Sequence, residues 1–378
     1  MPQTYPKITV IIPTFNRAEY LAECLDSIIA QTLPAHQIIV INDGSTDHTV
    51  KVIENYLKSV EYFETGQLGK SCAINYGLER TSGEYIWIFD DDDVALPDVL
   101  ERFVEPLEGH PEYGFSYSTF FYSATRAKDG RIGRALRESK IPDIRKRGFL
   151  IPLLESNFLG GAAIFVRTSC YKQVGNFDAE LLRSQDYNMA VRLARGFKGI
   201  QVRGGATFHY RQHKGLRGNL KDRFFSRFAL KKWLHYDQIF FRGLYRELPL
   251  SEFLPPGSNL ENKTRQALLQ RLEVMASKLL IEEVVKDLQK IGTLSDSTPF
   301  SDMERAVIVD MITRSRTYKV GSIYAFPEFC DTIRRLSISS PVIRLLRAEI
   351  LRALLLCLKK PRPYKILNAI WCLFQMYF

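Results

Sequence analysis

Gly83-Glu84-Tyr85-Ile86-Trp87-Ile88-Phe89-Asp90-Asp91-Asp92-Asp93 sets a short apolar run directly before four consecutive aspartates. The run reads as a buried strand, and the acids fall at its carboxyl end. Neighbouring like charges about 4 Å apart repel by roughly 1 kcal/mol in water and about 4 kcal/mol near a protein surface. A divalent cation reverses that penalty, because hard cations prefer carboxylate oxygen. Continued strand geometry would put Asp90 and Asp92 on one side and Asp91 and Asp93 on the other. The Asp90/Asp92 pair is then the candidate holder of Mg²⁺ or Mn²⁺. The plainer alternative is an acidic helix N-terminus, since Leu96-Pro97-Asp98 follows.

Working outward, the first 110 residues alternate strand and helix signals. Residues 8–12, 38–41, 62–63 and 85–89 read as strands. Residues 20–31, 48–58, 70–80 and 97–107 read as helices. Such alternation predicts a doubly wound, mostly parallel sheet flanked by helices. Ligands of these sheets bind beyond the carboxyl ends of the strands, where Asp43 and Asp90–Asp93 both fall. Further strands are expected at 113–122, 160–166 and 202–210, with a helix at 184–195. The basic stretch 126–148 reads as a mobile loop. Beyond about Gly218 the pattern becomes helical, giving a catalytic domain over 1–217 and a helical C-terminal region over 218–378.

The chain has 378 residues, 46% of them apolar, which is enough for a large core. Its six cysteines are scattered without a C-x-x-C pair, which fits a reducing cytosol and argues against zinc. Neither a signal peptide nor a membrane-spanning run is expected. The net charge of +10 concentrates in two stripes. Residues 211–232 carry eight Lys/Arg against Asp222, and 334–365 carry nine against Glu349. Residues 341–360 form a cationic amphipathic helix, and 366–378 add aromatics. This tail, 341–378, either lies on a membrane surface or packs on the protein.

Two nucleotide-binding motifs fail. No G-x-G-x-x-G follows the first strand. Gly66-Gln67-Leu68-Gly69-Lys70-Ser71 resembles a P-loop, but Glu64 stands where its first glycine is needed. Lys70 at a helix N-terminus remains a candidate phosphate contact, or else a solvated lysine.

Several segments together resemble the family 2 glycosyltransferases, nucleotide-sugar-dependent enzymes of the GT-A fold. They are Val10-Ile11-Ile12-Pro13-Thr14-Phe15-Asn16-Arg17, Ile41-Asn42-Asp43-Gly44-Ser45-Thr46-Asp47, Gly69-Lys70-Ser71-Cys72-Ala73-Ile74-Asn75-Tyr76-Gly77 and the Gly83–Asp93 stretch. Gly175-Asn176-Phe177-Asp178, Ser184-Gln185-Asp186 and His209-Tyr210-Arg211-Gln212-His213 also fit, so the likeness covers about residues 5–215. The resemblance implies a GT-A-type fold and an inverting transfer from a nucleotide-diphosphate sugar, with UDP-sugar favoured. It implies that Asp43 reads the base, with Pro13 and Phe15 lining its pocket. Asp92 would bind metal and Asp90 the ribose or the metal's water shell. Asp186 would be the general base, with Gln185 where many relatives have Glu. His209 could complete the metal shell in preference to His213, and Arg211 could grip pyrophosphate. Ile74 and Gln67 depart from the family pattern.

Each of these residues has a plainer alternative. Asp43 could cap a turn, Phe15 could be core, and Asp186 could be a helix-terminal acid. His209, Arg211 and His213 could form a polar rim. The implied acceptor is a glycan or lipid-linked saccharide in cell-surface polysaccharide synthesis, at the inner face of the cytoplasmic membrane. The alternatives are transfer to polyprenyl phosphate and a non-enzymatic nucleotide- or nucleic-acid-binding protein. No nucleic-acid-binding motif supports the last.

Overall fold

The computed structural model describes residues 6–126, 128–213, 216–217, 224–225, 229–258, 263–294, 298–313, 327–335 and 341–358. The chain divides into two compact units. One comprises residues 1–142 and 157–229, and the other 143–156 and 230–378.

The first unit is built on a nine-stranded sheet. Its strands are β1 (Ile8–Thr14), β2 (Gln37–Asn42), β3 (Glu61–Glu64), β4 (Tyr85–Ile88), β5 (Val94–Ala95), β6 (Tyr113–Thr125), β7 (Ile132–Glu138), β8 (Ile164–Arg167) and β9 (Lys198–Gln212). The order is β3-β2-β1-β4-β8-β6-β9-β5, with β7 on β6. The strands β3, β2, β1 and β4 run parallel, with Val10 paired to both Ile38 and Trp87. β1, β2 and β4 are buried along their whole length, as apolar strands covered on both faces must be. β8 runs antiparallel to both β4 and β6. Its entry therefore lies at the edge where β4 ends, and Gly160-Gly161 arrives beside Asp90.

Helices α1 (Ala18–Ile29), α2 (Thr49–Ile53), α3 (Lys70–Leu78) and α4 (Val99–Glu108) connect the parallel strands or follow them. α1 and α4 contribute Leu21, Leu25, Ile28, Leu100, Phe103 and Leu107 to the core around Trp87 and Phe165. The expected mixed α/β sheet with flanking helices is what the chain forms. The stretch 126–148 departs from expectation, because it contains β7 paired antiparallel to the end of β6. β7 is largely exposed, so its sequence carries no apolar alternation, and backbone pairing alone defines it.

The second unit is helical. α5 (Leu150–Glu155) belongs to it, whereas α6 (Thr168–Val174) and α7 (Gln185–Gly196) belong to the first unit. The rest is α8 (Ala229–Glu247), α9 (Thr264–Ser277), α10 (Ile281–Gly292), α11 (Asp302–Thr313), α12 (Pro327–Arg335) and α13 (Pro341–Leu358). Buried ion pairs tie it together, among them Arg271–Asp287 and Arg265–Glu304. Val342, Ile343, Leu346 and Ile350 of α13 are buried, and α13 packs on α11 and α10. The apolar stripe expected to meet a membrane is thus covered by protein over 342–350. Residues 359–378, with the aromatic part of the tail, lie outside the described residues. Among the described residues no helix is long and apolar enough to cross a membrane.

Candidate active site

The carboxyl ends of β1, β2 and β4 open on one edge of the sheet, and three loops leave it there. The loop after β1 turns at Asn16, whose φ of 53° is unusual for a side-chain-bearing residue. Asn16 Oδ1 accepts the backbone N–H of Thr46 at 2.8 Å, and Asn16 N donates to Ser45 Oγ at 2.9 Å. These bonds lock the first two loops together and aim Arg17 at the third, with Nε 4.0 Å from Asp92 Oδ2.

Asp43, only 4% exposed, opens the second loop. Its Oδ1 accepts from Leu68 N and Thr65 Oγ1 at 2.8 Å each, and its Oδ2 from Gly69 N at 2.8 Å. The carboxylate therefore organises the turn before α3, where Gly69 has φ of 100°. These bonds fill both lone pairs of Oδ1 and leave one on Oδ2. Pro13 is buried at the end of β1 and Phe15 is half-buried just beyond it.

Lys70 opens α3 and pairs directly with Asp90. Burial pulls its pKa down, but Asp90 outweighs that and the ammonium stays charged. Asn75, one turn further on, donates to Phe177 O at 2.9 Å and accepts Phe177 N at 2.8 Å. This pairing explains the Gly175-Asn176-Phe177-Asp178 segment, which it fastens onto α3.

β4 stops at Ile88, so the aspartates do not alternate as a strand would. The chain turns, with Asp93 N donating to Asp90 O at 3.2 Å. Asp90, Asp92 and Asp93 consequently converge, and one ligand atom from each lies within 4.8 Å of the others. Asp93 Oδ2 is buried and has no hydrogen-bond partner. Burial first, then repulsion from Asp92 and Asp90, drives the Asp93 pKa well above the carboxylate range. The same causes, burial ahead of Asp92, push Asp91 up to about 7. A buried carboxylate oxygen facing two other carboxylates without a donor is the chemistry a hard cation satisfies. Mn²⁺ or Mg²⁺ therefore fits this donor set.

Two expectations for β9 need correction. His209 donates to or accepts from Ser123 Oγ at 2.8 Å and packs on Phe121, away from the aspartates. His213 instead sets Nε2 3.2 Å from Asp92 Oδ2, with Nδ1 buried and unpartnered. Arg211 is 1% exposed, and all three of its guanidinium nitrogens donate hydrogen bonds. Its Nε donates to Asp92 O, Nη1 to Gly130 O and Nη2 to Glu23, each at 2.6 Å. A guanidinium spent this way is a structural strut with no free face for pyrophosphate. His209 lies within β9, opposite Phe121 of β6, while His213 lies just past the strand's end.

Asp186 sits in the first turn of α7, after Ser184 in the left-handed region at φ 58°. Burial raises its pKa, against the opposing pull of Lys70 and of the Tyr187 backbone N–H. Lys70, Asp90 and Asp186 line one cavity with Gly160 and Gly161, floored by Ile164 and Met189. Asp92 joins this group through its cluster with Asp90, whereas Asp43 and Arg211 do not line the cavity. Sequence reasoning missed Glu23, Arg17 and Asp93; of these only Arg17 and Asp93 lay in segments singled out from the sequence.

Residues 9–174 match the family model described as Glycosyl transferase family 2. An uncharacterized glycosyltransferase of Rickettsia felis is 30% identical over 196 residues, which cover 50% of this chain and 32% of that protein. Glycosyltransferase GlyA of Streptococcus pneumoniae is 42% identical over 104 residues, covering 27% of this chain and 15% of that protein. The chain thus spans about a third or less of the length of these curated relatives. A crystal structure of S. aureus TarS 1-349 in complex with UDP-GlcNAc superposes with a TM-score of 0.51 at 17% identity. The alignment covers 92% of this chain and 89% of that one, and shows a shared fold. Order of motifs, sheet topology and family match agree, and residues 9–174 form a family 2 glycosyltransferase domain.

Proposed function

We propose that the first unit is the catalytic domain of an inverting, metal-dependent glycosyltransferase. It moves a sugar from a nucleotide-diphosphate sugar to a hydroxyl of a glycan or lipid-linked acceptor. The observation that carries this reading is the shared cavity of Lys70, Asp90 and Asp186 at the carboxyl ends of the parallel strands. Asp186 takes the proton of the acceptor hydroxyl as its oxygen bonds the anomeric carbon. The bond from that carbon to the diphosphate breaks on the opposite face, and nucleoside diphosphate departs with the electron pair. Lys70, at a helix N-terminus, holds the diphosphate. Asp43, Pro13 and Phe15 form the base end of the site. Asp90, Asp92 and Asp93, with His213, would hold Mn²⁺ or Mg²⁺, which neutralises charge on the leaving diphosphate. UDP-sugars are favoured, in line with the UDP-GlcNAc bound by TarS.

With such an acceptor, the reaction would belong to cell-surface polysaccharide synthesis at the cytoplasmic membrane face. Val342, Ile343, Leu346 and Ile350 are packed within the second unit and are not open to a membrane.

Thermal-shift screening of nucleotide sugars, with and without Mn²⁺, tests the donor. Asp186→Asn should keep the shift and lose about 10²–10⁴-fold in transfer rate. Retained activity in that variant would move the assignment to a phosphate acceptor such as polyprenyl phosphate, which needs no strong base. No shift with any nucleotide sugar, and no turnover, would defeat the enzyme reading.

A further inference from the structure

Arg211 and Glu23 are separated by 188 residues, yet form an ion pair at 2.6 Å against the backbone of the aspartate loop. The Arg211 side chain is fully buried, and that of Glu23 nearly so. Burying such a pair without further partners is costly, and here each guanidinium nitrogen has an oxygen partner. The guanidinium spans Asp92 O and Gly130 O, and its face lies 4.7 Å from the Tyr20 ring centroid. The Arg211 backbone N–H donates to Asp93 Oδ1 at 2.9 Å. Glu23 in turn accepts Ile132 N at 3.0 Å, on the far side of the β6–β7 turn. Two of the three clustered aspartates are thus gripped by one residue, Asp92 through its carbonyl and Asp93 through its carboxylate.

We infer that Arg211 and Glu23 are a positioning pair that sets Asp92 and Asp93 at cation-binding distance and ties that loop to α1 and the β6–β7 turn. The physical need is plain. Three acidic side chains crowd together here, one of them with a buried oxygen that has no donor, and such a loop keeps its shape only if something fixes it from behind. Arg211 does so with a rigid fork, which a lysine cannot reproduce. It also sets the chain direction into His213, two residues on, which stands against Asp92. Neither Arg211 nor Glu23 belongs to the cation-facing set itself.

The inference rests on the cation reading of the aspartate cluster. Its test is Mn²⁺ titration of the purified full chain, with free Mn²⁺ read by electron paramagnetic resonance, for wild type, Arg211→Lys, Glu23→Gln and the double variant. Circular dichroism checks that each is folded. Outer-sphere partners of metal ligands typically tune affinity about 10–100-fold. Each single variant should weaken Mn²⁺ within that range, and the double variant should lose less than the product of the singles, because the two act as one unit. Donor KM should rise with the loss, and saturating Mn²⁺ should restore kcat, which a general folding defect would not allow. Wild-type affinity in a folded Arg211→Lys or Glu23→Gln variant would overturn the pairing while leaving the cation site intact. Multiplicative losses would do the same. If Arg211→Lys does not fold, Glu23→Gln alone decides: weakened Mn²⁺ supports the pair and unchanged Mn²⁺ overturns it. A wild-type protein that takes up no Mn²⁺ would overturn both readings.

Discussion

His213 Nε2 lies 3.2 Å from Asp92 Oδ2, whereas His209, four residues earlier, is bonded to Ser123. The difference reverses the preference for His209 that the sequence suggests. His213→Ala should weaken Mn²⁺ at least about 10-fold, by analogy with the loss of groups that support a metal. His209→Ala should leave Mn²⁺ affinity within about 2-fold. Isothermal titration of both variants checks this, and the reverse ranking would return His209 to the ligand set.

The pH profile should report Asp186. Its pKa is raised by burial, so the base loses its charge at a higher pH than an ordinary carboxylate would. The acid limb of kcat/KM, which reads the free enzyme, should therefore lie above the usual carboxylate range. Lys70 holds that pKa down. Lys70→Ala should shift the acid limb upward as well as weaken donor binding. A downward shift would separate Lys70 from the base electrostatically.

Metal-free stability should run against the common pattern near neutrality. Asp91 binds its proton up to about pH 7 in the folded chain but only to about 3.9 when unfolded. Between those values the native state holds more protons, so this group makes stability fall as pH rises. Melting temperatures measured in EDTA from pH 5 to 7.5 should fall, and Asp91→Asn should flatten that slope. Added Mn²⁺ should raise the melting temperature most at the upper end.

Asn75, from α3, bonds both the backbone N–H and the C=O of Phe177. Asn75→Ala leaves those groups without their partner, at a cost of about 1–3 kcal/mol. Urea unfolding should show this loss, and Asn75→Asp should recover part of it by keeping the acceptor for Phe177 N.

Much of the parallel half of the sheet was legible in the sequence. Continuous apolar runs such as 8–12 and 38–41 have one solution, a strand buried on both faces. The aspartate cluster was legible as chemistry but misread in geometry. Strand alternation was assumed past Phe89, and the turn that brings Asp93 to Asp90 and Asp92 depends on Arg211, more than a hundred residues away. β7 was missed because Arg134, Ala135, Leu136 and Arg137 are all exposed, and no burial pattern marks the strand. Glu23 gave no signal, since an acid on an amphipathic helix looks the same whether it meets water or an arginine from another strand.

The reversal of β8 has a consequence for how such a chain can change. Because β8 starts where β4 finishes, Gly161 comes to rest next to Asp186, and an added Cβ there would stand 3.5 Å from its carboxyl oxygen. On the proposed reading, one wall of the reaction chamber is supplied by a strand entry, separate from the loops after β2 and β4 that bear Asp43 and Asp90–Asp93. New bulk at that entry would narrow the room left for an incoming alcohol while leaving the donor's moorings untouched, so the two selectivities can drift independently.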